Sequence, residues 1–183
     1  KDLNQANQVY YHENTGTSSN PIFAAQSLNP FGISPRGFGH PFPTFADIDN
    51  DGDKDLFIGK DFGIDYHENT GTSGAPIFNR AIPTPFGINL PPGAINAPTF
   101  VDIDADSDLD LFVGQDGFRL IYYENTGNAS TPSYGPGNTF PFGLDPRIGG
   151  IHNPIPTFAD ANGDGDLDLF IGNKNNQADL YYY

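Results

Sequence analysis

Three short segments of the chain carry carboxylates at alternate positions, a pattern that suits a metal site built from oxygen ligands. They span residues 47–55, 102–110 and 160–168 and hold 14 of the 23 acidic residues. We name them acidic loops 1, 2 and 3. The side chains at positions 1, 3, 5, 7 and 9 are Asp47, Asp49, Asp51, Asp53 and Asp55 in loop 1, Asp102, Asp104, Asp106, Asp108 and Asp110 in loop 2, and Asp160, Asn162, Asp164, Asp166 and Asp168 in loop 3.

A nine-residue turn of this kind can wrap a hard cation such as Ca²⁺, which takes about six to eight oxygen ligands. We expect side-chain oxygens from positions 1, 3, 5 and 9, a backbone carbonyl from position 7, and a sharp bend at position 6. Without an ion, five carboxylates within nine residues repel one another strongly, so an empty loop should be loose. Position 6 is glycine in loops 1 and 3 but Ser107 in loop 2, which predicts a strained or weaker second site.

Three other interpretations fit the acidic loops less well. An EF-hand shares the opening Asp-x-Asp-x-Asp-Gly but needs a glutamate at position 12 and flanking helices, whereas position 12 is Ile58, Val113 or Ile171. Magnesium suits the pattern less well because it demands strict octahedral geometry and keeps its waters. Solvated acidic turns are the simplest alternative, and the regular recurrence of three copies argues against them.

The loops belong to a repeat with a period of about 56 residues. Position 1 recurs after 55 and then 58 residues, at Asp47, Asp102 and Asp160. Two further motifs keep the same order: Glu-Asn-Thr-Gly at 13–16, 68–71 and 124–127, and Pro-Phe-Gly-(Ile/Leu) at 30–33, 85–88 and 141–144. Repeats of this length indicate one supersecondary unit stacked on the next.

Each period predicts four short strands, as in the blades of a β-propeller. In the first complete period they are expected at 44–48, 55–59, 64–68 and 76–79, with the acidic loop joining the first two. The 22 Gly, 17 Pro and 25 Phe plus Tyr also favour an all-β chain. The fold class predicted is an all-β, β-propeller-type array of four-stranded antiparallel blades, with about three blades per chain and incomplete terminal blades.

The blade boundaries follow from the phase of the repeat. A partial blade (strands three and four) with its connection covers 1–42, blades cover 43–97 and 98–155, and a partial blade (strands one to three) covers 156–183. Three units leave sheet edges open, and open edges pair with other strands. We therefore expect the chain to associate with copies of itself through its ends, as a closed oligomer or a filament, unless it is a fragment of a longer array.

The segments 45–59 and 158–172 closely resemble FG-GAP and VCBS repeats, which occur in integrin α-subunit propellers, fungal propeller lectins and large bacterial surface proteins. The resemblance implies a β-propeller with one structural Ca²⁺ in the first hairpin of each blade, or about three ions per chain. Carried over by position, it assigns the alternate residues of the three loops as ligands, with position 7 acting through its carbonyl.

Composition excludes several other classes of protein. The net charge of −15 is concentrated in the loops, and no basic patch exists for nucleic acid. The absence of cysteine excludes disulfides, and no apolar run reaches the ~20 residues of a membrane helix. The chain begins at Lys1 without a signal peptide, which suggests a processed chain or an excised fragment, either compatible with secretion and a place at the cell surface.

No arrangement of residues predicts an enzyme. His12 and His67 align with Tyr123, so that position is interpreted as a packing site, and His40 and His152 lie in connections. The repeated Glu-Asn-Thr-Gly is interpreted as a strand end and turn, not as a pair of catalytic acids. The tyrosines at 10–11, 122–123 and 181–183 are expected to present one member of each group to a protein partner or a sugar.

The leading hypothesis is a non-enzymatic, extracellular, calcium-binding repeat protein with a structural or adhesive role. The alternatives are a propeller lectin that binds glycans and a non-catalytic module of a larger secreted protein. Other surface proteins are further possible partners, and Asn128 lies in a sequence that glycosylating hosts modify.

Overall fold

The chain is built from short antiparallel strands. The computed structural model describes residues 8–33, 41–93, 95–145, 151–172 and 180–182, and within them its only helical segments are two short 3-10 turns. The strands are β1 Tyr10–Tyr11, β2 Ser27–Leu28, β3 Phe42–Ala46, β4 Asp55–Lys60, β5 Gly63–His67, β6 Ile82–Pro83, β7 Asn96–Val101, β8 Asp110–Gln115, β9 Arg119–Tyr123, β10 Ile155–Ala159, β11 Asp168–Gly172 and β12 Leu180–Tyr182. The all-β prediction is confirmed.

The strands form four open sheets in which neighbours in sequence are also neighbours in space. The first sheet pairs β1 with β2, the second has the order β3-β4-β5-β6, the third β7-β8-β9 and the fourth β10-β11-β12. None of these sheets closes on itself. No helix in the described ranges is long and apolar enough to cross a membrane. The predicted blade boundaries stay predictions.

The fourth strand of the repeat lies later in the chain than the sequence predicted. Segment 76–79 forms only an isolated bridge between Asn69 and Phe78, and the strand beside β5 is β6, at Ile82–Pro83. The reason is a side-chain hydrogen bond: the Asn69 side chain accepts the N–H of Ile77 at 3.0 Å, which diverts that donor from a ladder. In the third sheet, the segment equivalent to β6 forms only an isolated bridge between Tyr122 and Asn138.

The central strands of the second and third sheets are buried on both faces. Successive side chains of a strand point to opposite sides, so Leu56 and Ile58 of β4 face the first sheet while Phe57 faces the third. This explains the continuous apolar run that follows each acidic loop. Three clusters fill the spaces between successive sheets; their principal members are Ile33, Leu56, Ile58 and Phe78, then Phe57, Ile64, Tyr66, Val113, Ile121 and Tyr123, then Phe112, Leu120, Ile151, Leu169 and Ile171.

In the second and third sheets, a glycine at the end of the second strand lets the next sheet approach. A Cβ placed on Gly59 would overlap the carbonyl oxygen of Asn96, and one on Gly114 would overlap that of Pro154. Hydrogen bonds hold the sheets at this distance: the Asn96 amide donates to the Lys60 carbonyl at 2.7 Å. The Thr99 hydroxyl donates to the Pro156 carbonyl at 2.8 Å. In the first two copies of Asp-Leu-Phe-(Ile/Val)-Gly, the glycine is therefore a contact between units.

Replacing Gly114 by alanine is expected to destabilise the chain by about 1–3 kcal/mol or more, because the added methyl group meets backbone and cannot be relieved by a side-chain movement. Gly74→Ala is the control, since a Cβ there has no atom within 4 Å and the residue has ordinary backbone angles. Urea unfolding of both variants measures the difference. Equal stability of the two variants would contradict the close approach.

Candidate metal centre

Each acidic loop closes the hairpin between the first two strands of a sheet. Loop 1 joins β3 to β4, loop 2 joins β7 to β8, and loop 3 joins β10 to β11. The ladder ends at the pairs Ala46–Asp55, Val101–Asp110 and Ala159–Asp168, so position 9 is the first residue of the returning strand. The hairpins predicted from the sequence are present at all three places.

The carboxylates at positions 1, 3 and 5 converge. One oxygen from each of Asp47, Asp49 and Asp51 lies within 4.8 Å of the others, and the same holds for Asp102, Asp104 and Asp106. In loop 3, position 3 is Asn162, which offers a neutral amide oxygen instead. Loops 1 and 2 thus each gather three anionic oxygens into a space that one cation fits.

The aspartate at position 1 organises the turn through the backbone. In loop 1, Asp47 accepts the N–H groups of Asp51 and Gly52, both at 3.1 Å. In loop 3, Asp160 accepts those of Asp164 and Gly165 at the same distances. The same two bonds therefore organise loops 1 and 3 despite the exchange of aspartate for asparagine at position 3.

Several carboxylate oxygens in the loops are buried without a hydrogen-bond partner. They are Oδ1 of Asp49, Asp53, Asp102 and Asp108. Burial, followed by repulsion from Asp51, raises the pKa of Asp49, and burial with repulsion from Asp106 raises that of Asp108. A buried anionic oxygen without a hydrogen-bond partner destabilises the fold. A divalent cation would supply the missing contact and lessen the repulsion between the carboxylates. The donor set fits a hard cation on these grounds.

The aspartate at position 9 is buried and tied to the turn after the third strand. Asp55 accepts the backbone N–H of Asn69 at 2.7 Å and the hydroxyl of Tyr66 at 3.3 Å. Asp110 accepts from Asn125 at 2.7 Å and from Tyr122 at 3.0 Å. Burial raises the pKa of each carboxyl to about 6. Position 9 stands apart from the converging trio, and its predicted ligand role stays a prediction, as does that of the position 7 carbonyl.

Positions 4 and 6 of every loop have left-handed backbone angles. At position 6, φ is 95° at Gly52, 94° at Gly165 and 76° at Ser107, so the predicted bend is present and loop 2 makes it without glycine. Loop 2 also places Ala105 at φ 62° in position 4. The left-handed angle at position 4 was not predicted from the sequence, although asparagine and glycine, which occupy that position in loops 1 and 3, both favour it.

The Glu-Asn-Thr-Gly motif is the turn that the sequence predicted. The side-chain oxygen of Asn69 accepts the N–H groups of Gly71 and Ile77 at 3.1 and 3.0 Å. Asn14 and Asn125 make the equivalent bonds in their own repeats. The asparagine side chain thus closes the turn. At Asn69 and Asn125, the backbone N–H also donates to the position 9 aspartate of the acidic loop.

The histidines and tyrosines divide between packing and exposed places. His67 and Tyr123 are fully buried, which supports a packing role at that position, whereas His12 is exposed. His152 is exposed and its ring contacts that of Phe118 at a tilt of 46°, with ring centroids 3.7 Å apart. His40 and the side chains of 181–183 lie outside the described residues.

The expectation of one exposed tyrosine per pair was wrong for Tyr122 and Tyr123. Tyr123 is fully buried, and the half-buried Tyr122 packs on Phe112 and Phe142. Both faces of the third sheet are covered by neighbouring sheets, so neither side of the strand is free. In the first sheet, Tyr10 is exposed and Tyr11 packs on Phe31, as expected.

The sheets and acidic hairpins define an all-β repeat, and a comparison with family models identifies part of it. Residues 102–171 match the family model described as FG-GAP-like repeat. The match runs from the first residue of loop 2 to the strand after loop 3, which is a little over one period. The chain therefore contains an FG-GAP-like repeat. Searches of curated proteins and of solved structures found no match.

Ser107→Gly is expected to stabilise the calcium-free chain by about 0.5–1 kcal/mol, because glycine adopts the left-handed angle without the cost that a Cβ imposes. Gly52→Ala should destabilise it by a similar amount for the opposite reason. Nothing lies within 4 Å of a Cβ at Gly52, so the effect there is purely conformational. Urea unfolding compares the pair, and changes of the same sign would contradict the explanation.

The stability of the calcium-free chain is expected to fall as the pH rises from about 4 to above 6. The folded chain holds a proton on Asp55 and Asp110 up to a pKa of about 6, against the ordinary value of 3.8 that applies when the chain is unfolded. Because the folded state binds more protons in this window, raising the pH favours unfolding. Unfolding free energies measured across the window with a chelator present test this.

Two controls accompany the pH series. The double variant Asp55→Asn, Asp110→Asn should show a flatter profile, because neither amide titrates. Saturating calcium should also flatten it, because the cation favours the charged carboxylates. A wild-type chain whose stability increases across the window without calcium would contradict the buried position of these two residues.

Proposed function

We propose that this chain is a non-enzymatic, extracellular, calcium-binding repeat protein with a structural or adhesive role. The observation that carries the proposal is the convergence of three carboxylates in loops 1 and 2 together with buried oxygens that have no hydrogen-bond partner. Such oxygens are expected to take Ca²⁺, which accepts irregular sets of oxygen ligands. About three ions per chain are proposed, one in each acidic loop.

The role proposed for calcium is to hold a rigid unit together. Each acidic loop joins two strands, and its position 9 aspartate, where the structure describes the contact, also binds the turn after the third strand. An ion in the loop would therefore fix three strands of a sheet relative to one another. The four-stranded sheet β3–β6 supports the interpretation of each unit as a propeller-type blade.

The extracellular location is proposed from the metal and the family. Calcium sites of extracellular modules are typically weak and depend on abundant calcium outside the cell. The FG-GAP-like repeat at 102–171 supports the same assignment. Self-association through the incomplete terminal blades is proposed because the outer faces of the first and fourth sheets are exposed.

A lectin is the second candidate, and one observation favours it. A groove of about 630 Å³ lies between the first and second sheets. Aromatic residues that suit sugar stacking line it, among them Tyr10, Tyr11, Phe31 and Phe45. Binding to a glycan array that is lost in Tyr11→Ala would favour this candidate. A module of a larger secreted protein is a further alternative.

Calcium titration by calorimetry is expected to reveal about three sites per chain, with binding that raises the midpoint of thermal unfolding. Asp104→Asn should weaken the loop 2 site, because it replaces one of the three converging carboxylates by the neutral amide that loop 3 has at the same position. Glu124→Gln removes an exposed carboxylate outside the loops and is the charge-matched control. Light scattering on the same samples gives the particle mass with calcium and with a chelator.

The outcomes separate the parts of the proposal. A chain that binds no calcium at millimolar concentration and unfolds at the same temperature with a chelator would contradict the calcium role. Equal effects of Asp104→Asn and Glu124→Gln would contradict the placement of the site. Calcium-dependent particles larger than one chain would support self-association.

A further inference from the structure

Acidic loop 3 contains the only Asn-Gly pair in the sequence, at Asn162 and Gly163. Asn162 occupies position 3, where loops 1 and 2 have Asp49 and Asp104. An asparagine can lose its side-chain amide when the backbone nitrogen of the next residue attacks the amide carbon. A following glycine permits this attack best, because it has no Cβ to hinder the approach. The sequence therefore marks position 3 of loop 3 as a candidate for chemical modification.

The backbone nitrogen that would attack is held against a carboxylate. The N–H of Gly163 donates to Oδ1 of Asp160 at 2.7 Å. A hydrogen bond of this length to a carboxylate is a strong one, and it lies within the range over which a general base acts. The structure thus places a proton acceptor on the hydrogen that the nitrogen must lose.

The side chain of Asn162 is folded back toward the same nitrogen. Its Oδ1 accepts the N–H of Asp164 at 2.9 Å, which is the hydrogen bond of an Asx turn. Such a turn bends the side-chain carbonyl over the peptide bond that follows it. The N–H of Asp164, which is shared with Asp160 at 3.1 Å, also polarises the amide and stabilises negative charge that develops on its oxygen.

The pair is open to solvent and uncrowded. Asn162 and Gly163 are both exposed. No atom lies within 4 Å of the position that a Cβ on Gly163 would take. Water therefore reaches the pair and ammonia can leave. The loop holds the reacting groups in place without burying them.

We propose that Asn162 is a self-modification site at which the folded loop promotes deamidation. The Gly163 nitrogen bonds to Cγ of Asn162, the bond from Cγ to Nδ2 breaks, and a cyclic imide forms. The proton of the Gly163 N–H passes through Asp160 to the departing nitrogen, which leaves as ammonia. Water then opens the imide. Cleavage of the new bond gives aspartate in an unchanged main chain, and cleavage at the backbone carbonyl gives isoaspartate.

Loop 1 repeats the geometry with a different side chain. The N–H of Gly52 donates to Asp47 at 3.1 Å. The side chain of Asp51 accepts the N–H of Asp53 at 3.0 Å. An ionised carboxylate repels the attacking nitrogen electrons and offers no neutral leaving group, so Asp51 resists the reaction. The combination of this turn with an amide is what singles out Asn162.

The consequence for calcium rests on the proposed function. The aspartate product gives loop 3 the carboxylates at positions 1, 3 and 5 that converge in loops 1 and 2, so it should bind Ca²⁺ more tightly. The isoaspartate product lengthens the main chain by a methylene group and displaces Asp164, so it should bind more weakly. Calcium should in turn slow the reaction, because its binding would engage the carboxylate of Asp160 that accepts the proton.

Peptide mapping by mass spectrometry tests the reaction. The full chain is incubated with a chelator and digested with trypsin, and peptide 148–174 is followed over time. Asn162 is expected to deamidate at least as fast in the folded chain as in the same peptide made synthetically. Asn128 is the internal control, because it is exposed in a similar turn but is followed by Ala129, and it should react severalfold more slowly. Deamidation confined to the synthetic peptide would overturn the proposal.

Two variants test the roles of the neighbours. Gly163→Ala reproduces the Ala105 of loop 2, which the fold accepts at the same position, and should slow the reaction severalfold. Asp160→Asn keeps a hydrogen-bond acceptor but removes the base, and should also slow it. Glu124→Gln, outside the loops, is the charge-matched control and should react like the wild type. A wild-type rate in Gly163→Ala, or equal effects of Asp160→Asn and Glu124→Gln, would contradict the mechanism.

Calcium separates this inference from the proposed function. Deamidation is expected to be slower in millimolar calcium than with a chelator, and Asn162→Asp should bind calcium severalfold more tightly by calorimetry. Equal rates with and without calcium would count against the loop 3 metal site and leave the deamidation intact. Unchanged calcium affinity in Asn162→Asp would overturn the link between the modification and the metal. A chain that keeps its Asn162 amide in chelator overturns the inference and leaves the calcium role intact.

Discussion

The contact between an acidic loop and the turn after the third strand is the interaction on which each unit depends. Asp55 reaches across the sheet to the backbone of Asn69, and Asp110 does the same to Asn125. These bonds place a carboxylate in the interior beside other carboxylates that repel it. Under the proposed function, a cation that lessens this repulsion would stabilise the sheet, and this residue would transmit the effect to the third strand.

The stacking of units follows from the same arrangement. Once the hairpin and the third strand are fixed, the run after each loop presents side chains to both neighbouring sheets, with Phe57 on one side and Leu56 on the other. The glycine that ends the run lets the next sheet approach. Each unit thus has two different faces, and a stack of such units has two different ends.

Much of the fold could be predicted from the sequence because the same motifs occur in three copies with the same spacing. The acidic hairpins and the Glu-Asn-Thr-Gly turn appear where their patterns predicted them. The fourth strand was misplaced, since the asparagine bond that diverts Ile77 involves a residue eight positions away and leaves no local signal. The expectation for Tyr122 and Tyr123 failed because it assumed one solvent-facing side, whereas neighbouring sheets cover both.

The candidate site was also only partly predictable. Spacing alone located the carboxylates at positions 1, 3 and 5, because alternate residues of a tight turn point inward. It did not reveal that the position 9 carboxylates have raised pKa values, since the rise comes chiefly from burial in the packed sheet, which spacing does not predict. The left-handed Ala105 was missed because alanine carries no preference for that angle.

A crystal structure of the chain grown in millimolar calcium, with anomalous data to identify the ion, tests the central claim most directly. The account predicts an anomalous peak in each acidic loop, with oxygens of positions 1, 3 and 5 at about 2.3–2.6 Å from the ion. Ordered acidic loops that contain only water at that calcium concentration would contradict it.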